Sequence, residues 1–75
     1  MDQAFESLKR AVAAAGGQTA FGVLCGKKQG QVWYWLNKGK KLPAEHVQTV
    51  SAATGIPPHE LRPDIFPAPP QAGAA

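Results

Sequence analysis

The chain has 75 residues, of which 44% are hydrophobic and 17% charged, and it carries a formal net charge of +3. Those proportions describe one small folded domain rather than a disordered segment, with too little core to shelter an enzyme's pocket. No run of about 18 apolar residues is present to cross a bilayer. No basic stretch followed by an apolar one opens the chain, so a cytoplasmic location is expected. One cysteine, Cys25, and two histidines, His46 and His59, give no intramolecular disulfide and no metal-ligand spacing. No cofactor is therefore expected.

In chain order, Asp2 is placed to cap a first helix by accepting a hydrogen bond from an orphan backbone N–H. Phe5, Leu8, Val12 and Ala15 recur at helical spacing and predict its apolar face. Gly16-Gly17 should stop it. A second helix is predicted over Gln18 to Cys25, with Phe21 and Cys25 toward the core and Gly22 small where two helix backbones would meet. In that register Val23 and Leu24 point away from the core. Cys25, between Leu24 and Gly26, reads as a small buried apolar residue rather than a reactive thiol.

Gly26 should make a sharp turn, and Lys28 or Gln29 should open a third helix with Val32, Trp35 and Leu36 inward. Gly30 lies inside that helix, at a cost of about 1 kcal/mol relative to alanine, and Asn37-Lys38-Gly39 should close it. Lys40-Lys41-Leu42 forms a connector to a fourth helix over Pro43 to about Thr54, with Val47 and Val50 inward and Gly55 as its stop. Pro57-Pro58 can start one more turn, His59 to Arg62, which Pro63 ends. Ile65 and Phe66 are then available to fold back on the bundle. From Pro67 onward the composition collapses to Pro, Ala, Gly and Gln. A flexible tail over 67–75 is expected there, with Pro67-Ala68-Pro69-Pro70 also able to dock a partner as a polyproline segment. His46 and His59 read as ordinary surface or helix-start residues. The whole is an all-α bundle of about five helices, with its folded domain over residues 1–66.

Charge is distributed unevenly. All five acids lie outside residues 7–44, whereas Lys9, Arg10, Lys27, Lys28, Lys38, Lys40 and Lys41 lie inside. A basic middle of this kind is either a face for a polyanion or a solvated lysine-rich surface. The helix–glycine turn–helix over 18–35 favours the first. Such a unit lays its second helix in the major groove of DNA, with phosphate contacts supplying affinity and base-edge contacts supplying sequence choice. Lys28 is suited to guanine O6 and N7, and Gln29 to adenine N6 and N7. Gly30 lets the backbone approach the bases. Trp33 and Tyr34, one turn on, can touch a thymine methyl or pack on sugar and phosphate. Gln18, Thr19, Lys27, Lys38, Lys40 and Lys41 are the expected phosphate contacts.

The run Gln18-x-x-Phe21-Gly22-x-x-x-Gly26, followed by Val32-x-x-Trp35, resembles the Cro/repressor-type helix-turn-helix. The closing segment His59-Glu60-Leu61-Arg62-Pro63-Asp64-Ile65-Phe66 is similar to the end of the YdaS-like branch, small Cro-like regulators of prophages and toxin–antitoxin modules. The resemblance covers about residues 3–67. It implies a lambda repressor-like DNA-binding fold at the bacterial nucleoid and a double-stranded operator as partner, with homodimer formation on DNA. Lys28, Gln29, Gly30, Trp33 and Tyr34 inherit the base-facing role and Gln18 a phosphate role. Lys27 stands where the family has an apolar residue, so that either the turn is more open or the lysine snorkels outward. Gly22 stands where alanine is usual, which should loosen the first motif helix. Trp33 replaces a small polar residue and makes the groove-facing surface bulkier. An alternative function is therefore a protein-interaction module, in which Trp33 and Tyr34, with Val23 and Leu24, form a patch for a toxin or a transcription-machinery protein. An enzyme is not expected, since no nucleophile–base pair, paired carboxylates, phosphate loop or metal cluster is visible.

Overall fold

The computed structural model describes residues 3–67. The Asp2 cap and the tail from Ala68 onward lie outside the described residues. Within them the chain is all-helical: α1 (Gln3–Ala15), α2 (Gln18–Cys25), α3 (Gln29–Tyr34) continued by a π-helical turn (Trp35–Gly39), α4 (Ala44–Thr54) and α5 (Pro58–Leu61). Helix α1 is the central strut, packing against α2, α4, α5 and the π turn.

The face that α1 buries is rotated from the expected one. Leu8 and Val12 are buried as predicted, together with Ala4, Ser7 and Ala11, whereas Phe5 and Ala15 are only half-buried. Three helices converge on one side of α1, and small residues at 4, 7 and 11 let their backbones come close. Phe5 is left at the edge of that face, where it acquires another role.

The core is closed by Phe21, Val32, Trp35, Val47 and Val50, together with Leu42, Ile56 and Leu61 from the connectors and α5. Phe21 meets Trp35 edge to face, with centroids 6.3 Å apart and an interplanar angle of 86°, a favoured arrangement for two aromatic quadrupoles. Leu42 is fully buried in the link before α4. It anchors the link that sets where α3 points. His46 is the helix-start residue expected, but not a surface one. It is half-buried at the start of α4, its ring tilted against Trp35 at a centroid distance of 5.4 Å. Its Nε2 lies 3.3 Å from a Glu45 carboxylate oxygen, without hydrogen-bond geometry.

The end of the third helix also departs from expectation. After Tyr34 the helix widens to a π turn, and the Lys40 N–H reaches five residues back to the Trp35 carbonyl at 2.7 Å. The extra residue carries the helix through Gly39 and puts Lys40 in the left-handed conformation, φ 60°, ψ 23°. Lys40 is the one non-glycine residue with positive φ among the described residues. A side chain there costs about 1–2 kcal/mol. Asn37 Nδ2 donates to the Trp33 carbonyl at 2.9 Å and braces the widened segment.

Behind the bundle, Arg62 ties the closing segment down. Its Nε and Nη2 donate to the two Asp64 carboxylate oxygens at 2.9 and 2.8 Å, and its Nη1 donates to the Leu42 carbonyl at 2.9 Å. Phe66 packs back on the core, but Ile65 does not, remaining exposed. The short turn after Arg62 brings only one of two adjacent side chains inward.

Candidate nucleic-acid interface

The site begins with a constrained turn. Gly26 is left-handed, φ 71°, ψ 30°, a conformation glycine adopts without a Cβ clash. The chain then doubles back so tightly that the Lys27 N–H bonds to the Gly22 carbonyl at 2.8 Å, while the Lys27 carbonyl would stand 2.6 Å from any Cβ at position 22. Gly22 is buried at this contact. It is the space into which the turn fits, and the close approach is by the turn backbone rather than by a second helix. Lys28 is extended (φ −81°, ψ 159°), and its carbonyl accepts the Gln31 N–H at 2.9 Å, which starts α3.

From that start the two sides of α3 separate. Val32 is fully buried and holds the helix to the bundle, with Trp35 buried beyond it in the π turn. Lys28, Gln29, Gly30 and Gln31 are exposed, as are Trp33 (47%) and Tyr34 (51%). Gln18, the first residue of α2, is brought against Gln29, the first of α3: Gln29 Nε2 donates to Gln18 Oε1 at 2.6 Å. The geometry leaves each amide with work to do. A glutamine amide carries two donor hydrogens and an acceptor oxygen. With one Gln29 hydrogen committed to Gln18, its second hydrogen and its Oε1 remain, the pattern that pairs with adenine N7 and N6. The Gln18 Nε2 hydrogens remain as donors to an anion.

The other sequence-predicted residues divide. Thr19 is exposed beside Gln18, Lys27 and Lys28 are exposed at the turn, and Lys38 is exposed on the π turn. Lys40 is not carried along the leading edge of α3. Its ammonium lies 5.3 Å from the centroid of the Phe5 ring on α1. Lys41 is exposed, and its charge adds to the pull that holds the Asp64 carboxyl low. Leu24 does not point away from the core but packs against it, whereas Val23 is 77% exposed. Cys25 is half-buried, and burial pushes its thiol pKa up, away from the reactive thiolate. The structure also brings Phe5 and Lys9 of α1 beside Gln18, a placement that no spacing along the chain signals. Lys9 sits in the basic middle of the chain, but nothing local shows that α1 runs past the start of α2.

None of the described helices is long and apolar enough to cross a membrane. Among the described residues no group of three or more His, Cys, Asp or Glu side chains is arranged to hold a metal ion.

Residues 8–70 match the model of the family described as Bacterial toxin YdaS. The chain belongs to that family. It is also 39% identical over 61 residues to an Escherichia coli (strain K12) YdaS protein named "Putative transcriptional regulator YdaS". That match covers 79% of this chain and 62% of the relative, so the chain spans less than two thirds of the YdaS protein's length. No solved structure matches the chain significantly. The YdaS family match takes in α2, the turn, α3 and the closing segment from His59 to Phe66 that suggested the resemblance.

Proposed function

We propose that this YdaS-family chain is a sequence-specific DNA-binding transcriptional regulator that reads the major groove with the leading edge of α3. The observation that carries the reading is the Gln18–Gln29 pair, set on an exposed helix start and flanked by Lys27 and Lys28. Gln29, Lys28 and Gly30 face base edges, with Trp33 and Tyr34 one turn along. Gln18, Thr19, Lys27 and Lys38 meet phosphates. The name of the E. coli relative supports the regulatory half of this reading. Regulation then needs no catalysis: occupying a promoter represses it. The reading takes the regulator to be of prophage or toxin–antitoxin type. Two copies bind half-sites about 34–36 Å apart, one helical turn of duplex. The folded unit is residues 1–66, and the Pro/Ala-rich segment beyond is an appendage to it.

The test is a duplex titration at several salt concentrations. Phosphate neutralisation releases counterions, so affinity must fall steeply as salt rises. Affinity indifferent to salt, or absent at low salt, contradicts the proposal. A second reading is favoured by the exposure of Trp33 and Tyr34 side by side on α3: an aromatic patch for a protein partner. A partner that survives nuclease treatment and is lost with Trp33→Ala, while duplex affinity stays, would establish that reading.

A further inference from the structure

Beside the glutamine pair lies a cleft of about 310 Å³ between α1, the start of α2 and the π turn, lined by Phe5, Lys9, Val12, Gln18, Leu36 and Asn37. Its lining joins the apolar Phe5, Val12 and Leu36 to Lys9, Gln18 and Asn37, and Lys40 reaches the Phe5 ring from beside it. The Lys9 ammonium stands 4.8 Å from the Phe5 ring centroid and the Lys40 ammonium 5.3 Å. Two cations thus gather on one half-buried aromatic ring, one from α1 and one from the residue that follows the π turn. An aromatic face attracts an ammonium through its quadrupole, and so holds both charges in place without neutralising either. Lys40 is delivered there by the widened helix end and by its left-handed backbone. Backbone strain of this kind and π turns both concentrate at functional sites.

The only acid in reach among the described residues is Glu6, 3.2 Å from Lys9, an ion pair about half exposed on each side. Such a pair is weak and easily displaced. Lys40 makes no ion pair among the described residues.

We propose that this cleft seats a phosphodiester of the DNA backbone, gripped by Lys9 and Lys40 and oriented by Gln18, next to the base that Gln29 reads. The site extends the interface onto α1, and it rests on the DNA-reading proposal above.

The experiment is duplex binding against salt for the whole chain and four variants. For the parent chain a steep log–log slope is expected, and its absence sinks the DNA reading before any variant is needed. Lys9→Gln and Lys40→Gln are each expected to flatten the slope by about 0.9, the value of one phosphate contact on B-form DNA. Both should weaken all sequences alike. Glu6→Gln, which frees Lys9, is expected to strengthen binding. Arg10→Gln removes the same charge from the next residue of α1, but Arg10 is turned to Glu60 on α5, 3.0 Å away, and so should leave the slope unchanged. A steep parent slope that Lys9→Gln leaves intact, or that Arg10→Gln lowers as much, overturns the cleft and leaves the DNA reading standing. A parallel titration with inorganic phosphate, followed on the Phe5 ring and Gln18 side-chain resonances, separates the two sources of the same chemistry. Saturation by phosphate at concentrations that do not compete with duplex would assign the cleft to a free anion and overturn the proposal.

Discussion

The front of the bundle and its back treat charge in opposite ways. At the back, both arginines are paired. Arg10 meets Glu60 across α1 and α5, and Arg62 grips Asp64 with a two-toothed contact while donating to the Leu42 carbonyl. At the front, Lys9 keeps one half-exposed pair with Glu6, and Lys27, Lys28, Lys38 and Lys40 make no ion pair among the described residues. Compensated charge holds a fold closed. Uncompensated charge, set beside a fixed pair of amides, is what a polyanion completes. The same net charge therefore serves two purposes, and position on the surface separates them.

The comparison breaks most completely where both regions share a core. Trp35 lies under α3 and against Phe21 and His46, so Trp35→Ala should cost about 3–5 kcal/mol and abolish folding and binding together in thermal melts. Gly22→Val acts next, at the front. A Cβ there meets the Lys27 backbone carbonyl, and overpacking of that kind costs about 1–3 kcal/mol. Duplex affinity should fall by more than stability explains, because the turn that aims α3 has moved. Arg62→Ala is its counterpart at the back. It leaves the Leu42 carbonyl without its donor, at a cost of about 1–2 kcal/mol, seen as a lower Tm with duplex affinity unchanged at 20 °C.

Acid acts on the same contact. Arg62 holds the Asp64 carboxyl down at about 2 from an ordinary 3.8. A folded-state pKa lowered in this way contributes stability above the ordinary carboxylate range, and that contribution shrinks as pH falls below about 4 and is lost as pH falls through about 2. Melts of the parent and Asp64→Asn should accordingly differ at pH 6 and draw together as pH falls through about 2. The smallest expected effect on stability is that of Gln29→Ala, within about 0.5 kcal/mol. Its effect should appear instead as a loss of about 1–3 kcal/mol of discrimination at one base pair, read by site selection from a random duplex pool.

Much of the front was legible because its geometry is local. Gln18, Gly26 and Gln29 mark the limits of α2, the turn and α3 within a residue, since helix starts and left-handed stops have strong chemical preferences. The burial of Val32 and Trp35 followed from their three-residue spacing. What escaped depends on partners distant in sequence. Leu24 turned inward because the bundle closes around it, and His46 was covered because Trp35 reached it. Ser7 and Ala11 are buried because three helices crowd α1, and no polarity scale ranks them above Phe5. The end of the third helix misled for a different reason. Gly39 is the favoured stop on local grounds, yet the π turn spends one residue more and hands the left-handed position to Lys40. The cleft at Phe5 depends on that shift, and so was invisible from the chain alone.

The central claim is that the exposed start of α3 enters duplex DNA. Amide and side-chain chemical shifts of the intact chain, recorded while a selected duplex is added, test it most directly. The account predicts large changes at Gln18, Lys28, Gln29, Gly30 and Trp33, with Val23, Ala53 and Glu60 nearly still. Changes concentrated at Val23 and Ala53, with the Gln18 and Gln29 amides unmoved at saturation, would contradict it.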